Sequence, residues 1–482
     1  MSKRTPSKIR EEDLIRNQLA MQEVRRLSDA RLHEEGTRPR FFIETYGCQM
    51  NEHDSEKLHG MLSLMGYTEG AGRQEADLVI INTCCVRENA ELRVYGNLGH
   101  LKSIKRKRPG YRIALCGCMM QQPQVVAHIQ EKYPHVDLIF GTHNLHAFPE
   151  LLLKTFDADG TVVEVWDTDG EVVEGLPATR RHGVKAFVDI MYGCDNFCTY
   201  CIVPYTRGRE RSRAPEAILE EIRRLVAEGV REVTLLGQNV NSYGVGLEAP
   251  VDFPDLLAMV DGIAGLERIR FMTNHPKDVS DKLIDTMARG RRICKQIHLP
   301  LQAGSDSLLK AMNRRYTLES YLDTVTRLRA AMPEIALTTD IIVGFPGETE
   351  EDVDGLIAVA RQVRFDSAFT FLYSPRTGTP AAKLAEQIPE ALKHQRFERV
   401  LKVFNDIVIE KNREQLGRTV TLLVESRSKK NPEEMSGRDE ANRIVNYRGD
   451  EADIGQLVQV RVTEPKSFSL LGERITDPSH TD

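Results

Sequence analysis

The chain has 482 residues, and at roughly 100–200 residues per domain this length predicts two to four domains and excludes a single small module. With 41% hydrophobic and 28% charged residues, no apolar run of roughly 18 residues and no apolar stretch at the start, the chain is expected to be a cytoplasmic globular protein without a membrane partner. The net charge of −6 excludes a globally basic surface, so a polynucleotide partner would need local basic patches.

The first half of the chain predicts a leader, an α/β domain and a linker. Residues 1–38 are crowded with charges around a weak Leu and Ile periodicity, and we expect a flexible leader that is partly helical at most. In residues 39–156, apolar runs such as RFFIETYGC, ADLVIINTCC and YRIALCGCM alternate with helical segments, including a helix from Glu88 to Lys107, which predicts a parallel sheet. Residues 157–180, rich in Gly and Asp, indicate a linker with a short hairpin.

The second half predicts a larger α/β domain and a small β domain. Residues 181–413 contain six strand and helix repeats, which suit a barrel or partial barrel of the (β/α) kind, although length alone does not separate this from a doubly wound sheet. Residues 414–477 switch to short alternating strands split by Gly, Asn and Pro, which predicts a C-terminal β-barrel, followed by a tail over 478–482.

The spacing C-x3-C-x2-C is the most specific signal in the chain. Cys194, Cys198 and Cys201 follow the first strand of the larger domain, and no fourth Cys or His lies within this loop. A structural zinc site usually closes with four ligands, whereas three thiolates leave a coordination position open. We therefore favour an iron–sulfur cluster with one iron free for a substrate, and keep zinc and simple packing as alternatives.

A second set of cysteines is dispersed along the first α/β domain. Cys48, Cys84 and Cys118 each fall at the carboxyl end of a predicted strand, and such ends share one edge in a parallel sheet. They would converge on a second cluster, or simply be buried as small hydrophobic side chains. For the remaining three cysteines, Cys85, Cys116 and Cys294, we expect packing roles; the alternative for Cys85 and Cys116 is that each replaces the proposed ligand next to it.

These motifs resemble known families. The loop MYGCDNFCTYC resembles the cluster motif of the radical S-adenosylmethionine (SAM) superfamily, the segments TYGCQMN, NTCCVRENAE and CGCMMQ resemble the methylthiotransferase N-terminal domain, and the last domain resembles the TRAM module. Within the methylthiotransferases, the segments are most similar to the branch that acts on N6-dimethylallyladenosine in tRNA. The chain departs from that pattern at Cys85, where the family usually has a small polar residue, so Cys85 is not expected to be a ligand.

The resemblance implies a mechanism, cofactors and partners. Cys194, Cys198 and Cys201 would hold a [4Fe-4S] cluster that binds and cleaves SAM, and Cys48, Cys84 and Cys118 would hold a second [4Fe-4S] cluster. The radical from SAM would remove the hydrogen at adenine C2, and a sulfur carried by the second cluster and methylated by another SAM would be inserted there. Implied partners are the tRNA anticodon stem-loop, an electron donor and proteins that deliver sulfur or clusters, with the chain itself a monomer.

Further strand ends supply candidate contacts to SAM and RNA. The candidates for SAM are the polar and glycine residues of LLGQN and VGFPGE, namely Gln238, Asn239, Gly344, Gly347 and Glu348. For RNA phosphates the candidates are the arginines that alternate in TRGRERSR, from Arg207 to Arg213, with Arg314 and Arg315; a solvated charged loop is the alternative. His298 is expected to be a hydrogen-bonded barrel residue.

Two other functions remain open from the sequence. The same chemistry would suit threonylcarbamoyl-adenosine in tRNA or a ribosomal-protein side chain. A non-catalytic iron–sulfur protein that binds RNA is the candidate from a different class. Iron content and SAM cleavage on reduction separate the enzyme from the binding protein.

Overall fold

A computed structural model describes residues 11–85, 88–166, 172–180 and 183–475. Parts of the predicted leader (1–10), linker (167–171) and tail (478–482) lie outside the described residues. The chain divides into a first unit of Met1–Arg181, Tyr192–Asp195 and Cys201–Arg211 and a second unit of His182–Met191, Asn196–Tyr200 and Ser212–Asp482. Among the described residues no helix is both long and apolar enough to span a membrane.

The first unit contains a parallel six-stranded sheet in the order β2-β1-β3-β4-β5-β6. Its strands are β1 (Arg40–Thr45), β2 (Thr68–Glu69), β3 (Leu78–Thr83), β4 (Arg112–Gly117), β5 (Leu138–Phe140) and β6 (Val162–Glu164). Its helices are α1 (Glu11–Glu35), α2 (Gln49–Leu64), α3 (Glu88–Lys107), α4 (Pro123–Lys132), α5 (Phe148–Asp157) and the short α6 (Val203–Thr206). All six residues of β3 are buried, and Ile80 and Ile81 enter hydrophobic cores on opposite faces, as expected for a covered parallel sheet.

One expectation for this half of the chain was wrong, and a second lies partly outside the described residues. The leader was expected to be partly helical at most, yet α1 is a 25-residue helix that buries Asn17, Ala20, Val24 and Ser28 on one face. Two of these four buried residues are polar, and the Ser28 hydroxyl donates to the Gly66 carbonyl at 2.8 Å. The buried face of α1 therefore gives little hydrophobic periodicity in the sequence. The hairpin expected in the linker is also absent from the described residues, because Val162–Glu164 pairs in parallel with β5 as the edge strand of the sheet.

The second unit contains a partial (β/α) barrel, as the sequence predicted. Its six barrel strands are β7 (Lys185–Asp189), β10 (Glu232–Leu236), β11 (Arg268–Phe271), β12 (Gln296–His298), β13 (Ala336–Val343) and β14 (Ser367–Leu372). The two-residue strands β8 (Met191–Tyr192) and β9 (Arg211–Ser212) fall where the chain passes from one unit to the other. The orders β7-β10-β11 and β12-β13-β14, joined by a parallel bridge between Ile269 and Ile293, follow the sequence as in a barrel, whereas a doubly wound sheet would reverse direction.

Seven helices follow the barrel strands, and all but the six-residue helix Asp306–Ala311 contribute side chains to the core outside the strands. They are α7 (Pro215–Ala227), α8 (Phe253–Asp261), α9 (Asp281–Arg289), α10 (Asp306–Ala311), α11 (Leu318–Ala331), α12 (Glu350–Val363) and α13 (Glu390–Arg413). Alternate residues of β13, such as Leu337 and Ile341, pack into one core with Val353 and Leu356 of α12. The other alternate residues of β13 therefore face the inside of the barrel.

The C-terminal segment forms a closed five-stranded barrel in the order β15-β16-β17-β19-β18. Its strands are β15 (Thr419–Arg427), β16 (Glu434–Arg438), β17 (Ile444–Arg448), β18 (Leu457–Pro465) and β19 (Leu470–Arg474). It contacts the amino ends of the barrel strands: Lys185 pairs with Glu425 at 2.7 Å, and Arg268 donates to the Thr421 carbonyl at 2.7 Å. These contacts do not involve the carboxyl ends of the (β/α) barrel strands, where ligands bind in this kind of fold.

Candidate active site

Three cysteines lie beyond the carboxyl ends of neighbouring strands in the first unit. Cys84 and Cys118 directly follow β3 and β4, and Cys48 follows β1 at the start of α2. Because β1, β3 and β4 are adjacent and parallel, the three cysteines share one edge of the sheet, as the sequence predicted. Cys84 and Cys118 are buried and Cys48 is exposed. Their role as cluster ligands stays a prediction.

Two glycines allow the backbone to approach closely at this edge. Gly47 has φ of +120°, and a Cβ atom there would lie 2.6 Å from Cβ and 2.9 Å from Sγ of Cys84. Gly117 has φ of +93°, and a Cβ atom there would collide with the Thr83 carbonyl oxygen. Only glycine adopts such angles without strain and leaves this space open. The cradle of three thiols fits the donor chemistry of an iron–sulfur cluster, which is held by Cys thiolates.

A buried arginine reaches the same edge from the segment after α6. The Arg207 guanidinium donates to Cys118 Sγ at 3.1 Å, to Asn51 Oδ1 at 2.8 Å and to Asp54 Oδ2 at 3.0 Å. Asn51 Oδ1 lies 3.8 Å from Cys48 Sγ and 4.0 Å from Cys118 Sγ, so this amide stands between two of the candidate ligands. The motif TYGCQMNEHDSEK thus supplies a cysteine together with the amide and the carboxylate that hold Arg207.

Cys85 modifies the chemistry of its neighbour Cys118. A hydrogen bond from the Cys85 thiol, together with the Arg207 guanidinium, lowers the pKa of Cys118 to about 6. The lowered pKa favours the thiolate of Cys118, which is the form of cysteine that binds metal. Cys116 and Cys294 are buried, and burial raises the pKa of each thiol, which agrees with packing roles. Neither the sequence spacing nor the departure at Cys85 indicated this hydrogen bond.

The C-x3-C-x2-C loop is divided between the two units. Cys194 and Cys201 belong to the first unit, and the Cys194 amide donates to the Gly208 carbonyl at 3.1 Å. Cys198 belongs to the second unit, where the Asn313 side chain donates to the carbonyls of Asn196 and Phe197 at 3.1 and 3.0 Å. Within the described ranges, no three Cys, His, Asp or Glu side chains are placed as a metal-holding group. Both ligand sets accordingly remain predictions.

A second buried arginine contacts Cys198. Arg314 Nη1 lies 3.5 Å from Cys198 Sγ, and its guanidinium lies over the Tyr316 ring at 5.1 Å from the centroid. Its other bonds go to the Tyr316 hydroxyl and the Pro300 carbonyl, at 3.2 and 3.3 Å. No carboxylate in the described part of the chain pairs with Arg314, so its positive charge is uncompensated.

Several buried polar atoms at the carboxyl ends of the barrel strands lack a hydrogen-bond partner. Asn239, which the sequence singled out, donates to Asp278 at 2.9 Å, but its Oδ1 has no partner among the described residues. Atoms of four further side chains share this condition: Asn241, Asn274, His275 and Gln302. Buried polar atoms are normally bonded, so these groups suit a polar ligand such as SAM. The sequence reading missed these four residues, although each lies within a few positions of a predicted strand end.

The turn after β13 is bonded internally. Glu348 Oε2 accepts from the Gly344 amide at 2.9 Å, and Arg396 Nη1 donates to the Glu348 carbonyl at 2.8 Å. The Gly347 amide donates to the Glu386 carbonyl at 2.9 Å. These bonds give Glu348 a role in shaping the turn. Contacts of Gln238, Asn239, Gly344, Gly347 and Glu348 with SAM stay predictions.

The alternating arginines do not form a phosphate-binding row. Arg207 and Arg213 are buried, the first with Asp54 and the second with Glu221 at 2.8 Å, and Arg314 is buried at Cys198. The interpretation of these three as RNA contacts was wrong, because each guanidinium is committed inside the protein. The prediction for His298 is confirmed: its Nδ1 lies 3.0 Å from the Thr338 hydroxyl and its Nε2 3.3 Å from Asp340.

Comparison with known families finds three matches in chain order. Residues 40–141 match the family described as Uncharacterized protein family UPF0004, residues 188–360 match the Radical SAM superfamily, and residues 413–475 match the TRAM domain. The first match covers β1 to β5 with all three dispersed cysteines. The second covers the C-x3-C-x2-C loop and most of the barrel strands, and the third covers the closed C-terminal barrel.

Curated relatives match almost the whole chain. The chain is 55% identical over 451 residues to tRNA-2-methylthio-N(6)-dimethylallyladenosine synthase of Alkaliphilus oremlandii, covering 94% of this chain and 96% of the relative. Against the protein of that name in Clostridioides difficile, identity is 55% over 473 residues, covering 98% of this chain and 99% of the relative. The protein of that name in Acetivibrio thermocellus is 54% identical, covering 96% of each chain.

Solved structures share the fold at low sequence identity. Two structures of the radical S-adenosylmethionine methyltransferase TsrM from Kitasatospora setae match at 14% identity. The first, with tryptophan and a SAM analogue, gives a TM-score of 0.52 and covers 72% of this chain and 75% of that one. The second, with cobalamin and a [4Fe-4S] cluster, gives a TM-score of 0.51 and covers 71% and 77%. This likeness concerns the fold alone.

Proposed function

The chain belongs to the family of tRNA-2-methylthio-N(6)-dimethylallyladenosine synthases, and we propose that it adds a methylthio group at C2 of N6-dimethylallyladenosine at tRNA position 37. The observation that carries this proposal is an identity near 55% that extends over the N-terminal, radical-SAM and TRAM segments together. In the reaction, the C2–H bond breaks and a C2–S bond forms. When bound, SAM and two [4Fe-4S] clusters would supply three things: the radical that removes the hydrogen, the sulfur that is inserted, and the methyl group that this sulfur carries.

Cys48, Cys84 and Cys118 are proposed to hold one cluster, and Cys194, Cys198 and Cys201 the other. Support for the first set comes from the shared sheet edge, the space left by Gly47 and the thiolate character of Cys118. Arg207 and the Cys85 thiol stabilise negative charge on the Cys118 sulfur. In the second unit, Arg314 Nη1 contacts Cys198 Sγ at 3.5 Å.

SAM is proposed to bind at the carboxyl ends of the barrel strands of the second unit. The unpartnered atoms of Asn239, Asn274 and His275 would bond its polar groups, and the Glu348 turn would border the ligand. The neutral His275 ring is poised to donate a hydrogen bond from Nε2, because its Nδ1 accepts from the Lys277 amide at 3.3 Å and because burial, with the charge of Arg314, lowers its pKa to about 2. Exclusion of water from such a site would strengthen the hydrogen bonds between these side chains and SAM.

The proposed setting is the cytoplasm. The chain has nine cysteines, and an odd number that clusters by spacing suits metal chemistry in a reducing compartment better than a disulfide framework. The proposed partners are the tRNA anticodon stem-loop, an electron donor and proteins that deliver sulfur or clusters to a monomeric enzyme. Since Arg207 and Arg314 are buried, the RNA must meet other basic side chains, such as exposed Arg209 and Arg315.

Nucleoside mass spectrometry of tRNA tests the proposed function. In cells that lack this protein, unthiolated dimethylallyladenosine should accumulate at position 37, and reintroducing the gene should restore the methylthio product. Cys198→Ala should abolish both SAM cleavage and product. Cys84→Ala should spare SAM cleavage and remove the product, because it lies in the other proposed ligand set. Unchanged tRNA in the deletion strain would contradict the proposal and favour a ribosomal-protein substrate.

Reconstitution supplies an independent measurement. Under anaerobic conditions, the wild-type chain should bind about eight irons. Each variant that lacks one of the six proposed ligand cysteines should lose about half of them. A chain that binds about four irons and does not cleave SAM on reduction would instead be a non-catalytic iron–sulfur protein.

A further inference from the structure

Two aromatic side chains are exposed next to each other on strand β14. Phe369 is 52% exposed and Phe371 is 37% exposed. They are two positions apart, so they point to the same face of the strand. Exposed phenylalanines at adjacent positions of one face are unfavourable in water, and in a folded protein such a patch usually marks a binding surface.

The register of the sheet places these rings inside the partial barrel. Phe369 is paired with Asp340 and Phe371 with Ile342, and both partners belong to the face of β13 that points away from the helices. On the same face, the His298 ring meets the Phe369 ring edge to face, with centroids 6.4 Å apart. The rings therefore line the lumen of the barrel and not the helix layer.

The position of β14 keeps this part of the lumen open. β14 is the last strand of the order β12-β13-β14 and, among the described residues, pairs with β13 only. A closed barrel would place a further strand beside it and close this side of the lumen. A large substrate can enter a partial barrel at such an edge, so Phe369 and Phe371 border the entrance.

The side chains beside the two rings favour uncharged ligands over anionic ones. Asp340 is the strand neighbour of Phe369, and its side chain is 29% exposed, 3.3 Å from His298 Nε2. Aromatic faces accept a flat base or an uncharged branched alkyl group at little desolvation cost. A carboxylate at the same place repels an anionic group.

We infer that the face formed by Phe369, Phe371 and Asp340 binds the N6 substituent of the target adenosine and selects for an uncharged apolar one. The inference rests on the proposed function, which supplies an adenosine with a dimethylallyl group. That group is apolar and branched and packs on the two rings. A threonylcarbamoyl group at the same nitrogen carries a carboxylate that faces Asp340. These residues thus distinguish the two substrates that the sequence left open.

Binding of labelled anticodon stem-loop RNAs tests this inference. Three RNAs of one sequence carry adenosine, N6-dimethylallyladenosine or N6-threonylcarbamoyladenosine at position 37, and dissociation constants are measured for the full-length reconstituted protein. For the wild type, the dimethylallyl RNA should bind most tightly. The double variant Phe369→Ala, Phe371→Ala should lose about tenfold in affinity for the dimethylallyl RNA and little for the unmodified RNA.

Two further variants sharpen the expected pattern. Phe369→Leu keeps an apolar side chain and should retain most of the preference. Asp340→Asn removes the negative charge, so it should strengthen binding of the threonylcarbamoyl RNA about fivefold and leave the dimethylallyl RNA unchanged. Met259→Ala, which removes an exposed apolar side chain on α8, is the matched control and should change none of the three constants.

The experiment distinguishes failure of the inference on β14 from failure of the proposed function. If the wild type makes a methylthio product from the dimethylallyl RNA while the double variant keeps the full binding preference, the inference on β14 is overturned and the proposed function stands. If the wild type makes no product from the dimethylallyl RNA, the proposed function fails first. A circular dichroism melt within a few degrees of the wild type shows that the double variant is folded.

Discussion

Arg207 and Arg314 are two buried guanidinium groups, each bonded to a cysteine sulfur, but their surroundings differ in charge. Arg207 contacts Cys118 at 3.1 Å and the Asp54 carboxylate at 3.0 Å. Arg314 contacts Cys198 at 3.5 Å and otherwise only a hydroxyl, a carbonyl and a ring. At the first site a carboxylate balances the guanidinium charge, whereas at the second site no carboxylate among the described residues pairs with the guanidinium.

This difference has a physical consequence for each site. A buried arginine without a carboxylate is costly, and it is retained where an anion or a developing negative charge comes to it. Arg314 therefore suits a site that receives a charged ligand in every cycle. Arg207, already paired, suits a site whose environment stays fixed while sulfur chemistry proceeds on it. Changing the two arginines in the same way should reveal the difference.

The largest effect is expected for Arg207→Met. It leaves the Asp54 carboxylate buried without its partner, which typically costs about 3–5 kcal/mol. The single tryptophan, Trp166, belongs to the first unit, so its fluorescence during urea unfolding reports the stability of that unit. The double variant Arg207→Met, Asp54→Leu removes both charges and should recover most of the loss. A loss below about 1 kcal/mol in the single variant would show that Asp54 does not depend on Arg207.

A smaller effect is expected for Arg314→Met. No carboxylate is left behind, so the cost is that of the lost charge-assisted hydrogen bonds, about 1.5–3 kcal/mol. The loss should show in unfolding followed by circular dichroism and leave the Trp166 transition unchanged. Arg315→Met, the exposed neighbour, is the control and should stay within about 0.5 kcal/mol of the wild type. If Arg314→Met costs as much as Arg207→Met, the two sites do not differ as described.

The smallest effect concerns pH and His275, which faces Arg314. Burial, and then the charge of Arg314, lower the pKa of His275 to about 2, against about 6.5 in the unfolded chain. Between these values the unfolded state binds the extra proton, so the stability contributed by neutral His275 is full above pH 6.5 and falls as the pH decreases. Going from pH 7 to pH 5.5 should cost about 1 kcal/mol, and His275→Asn should lack this part of the pH dependence.

His394→Asn is the control for that measurement, because His394 is exposed on α13 and its replacement should leave the pH profile unchanged. In addition, Arg314→Met should raise the pKa of His275, which ring-proton NMR measures directly. An unchanged His275 titration in the Arg314 variant would contradict the electrostatic link between the two residues.

The regular part of the fold was readable from the sequence. Helix α3 spans Glu88–Lys107 as predicted, and the six barrel strands lie in the segments that alternation indicated, because periodicity is a local property of the chain. The C-terminal closed barrel was predicted for the same reason. Helix α1 was missed because its buried stripe contains Asn17 and Ser28, and β6 because only three residues, Val162–Glu164, pair with β5.

The candidate site was readable in its cysteines and not in its arginines. Strand ends in a parallel sheet share an edge whatever the side chains, so the placement of Cys48, Cys84 and Cys118 followed from the strand pattern. Burial of Arg207 did not follow, because its partner Asp54 lies 153 positions earlier in the chain. An alternation of arginines looks the same in a sequence whether the side chains face RNA or a buried carboxylate.

The division of the chain between two units also sets an order in time. Asp54 leaves the ribosome 153 residues before Arg207, which at 5–20 residues per second is an interval of about 8–30 seconds. The first unit, which includes Cys201–Arg211, cannot complete its charge pairing until two segments of the second, His182–Met191 and Asn196–Tyr200, have been synthesised. During that interval the Asp54 carboxylate must remain hydrated, so the edge that carries the three cysteines stays open until Arg207 arrives.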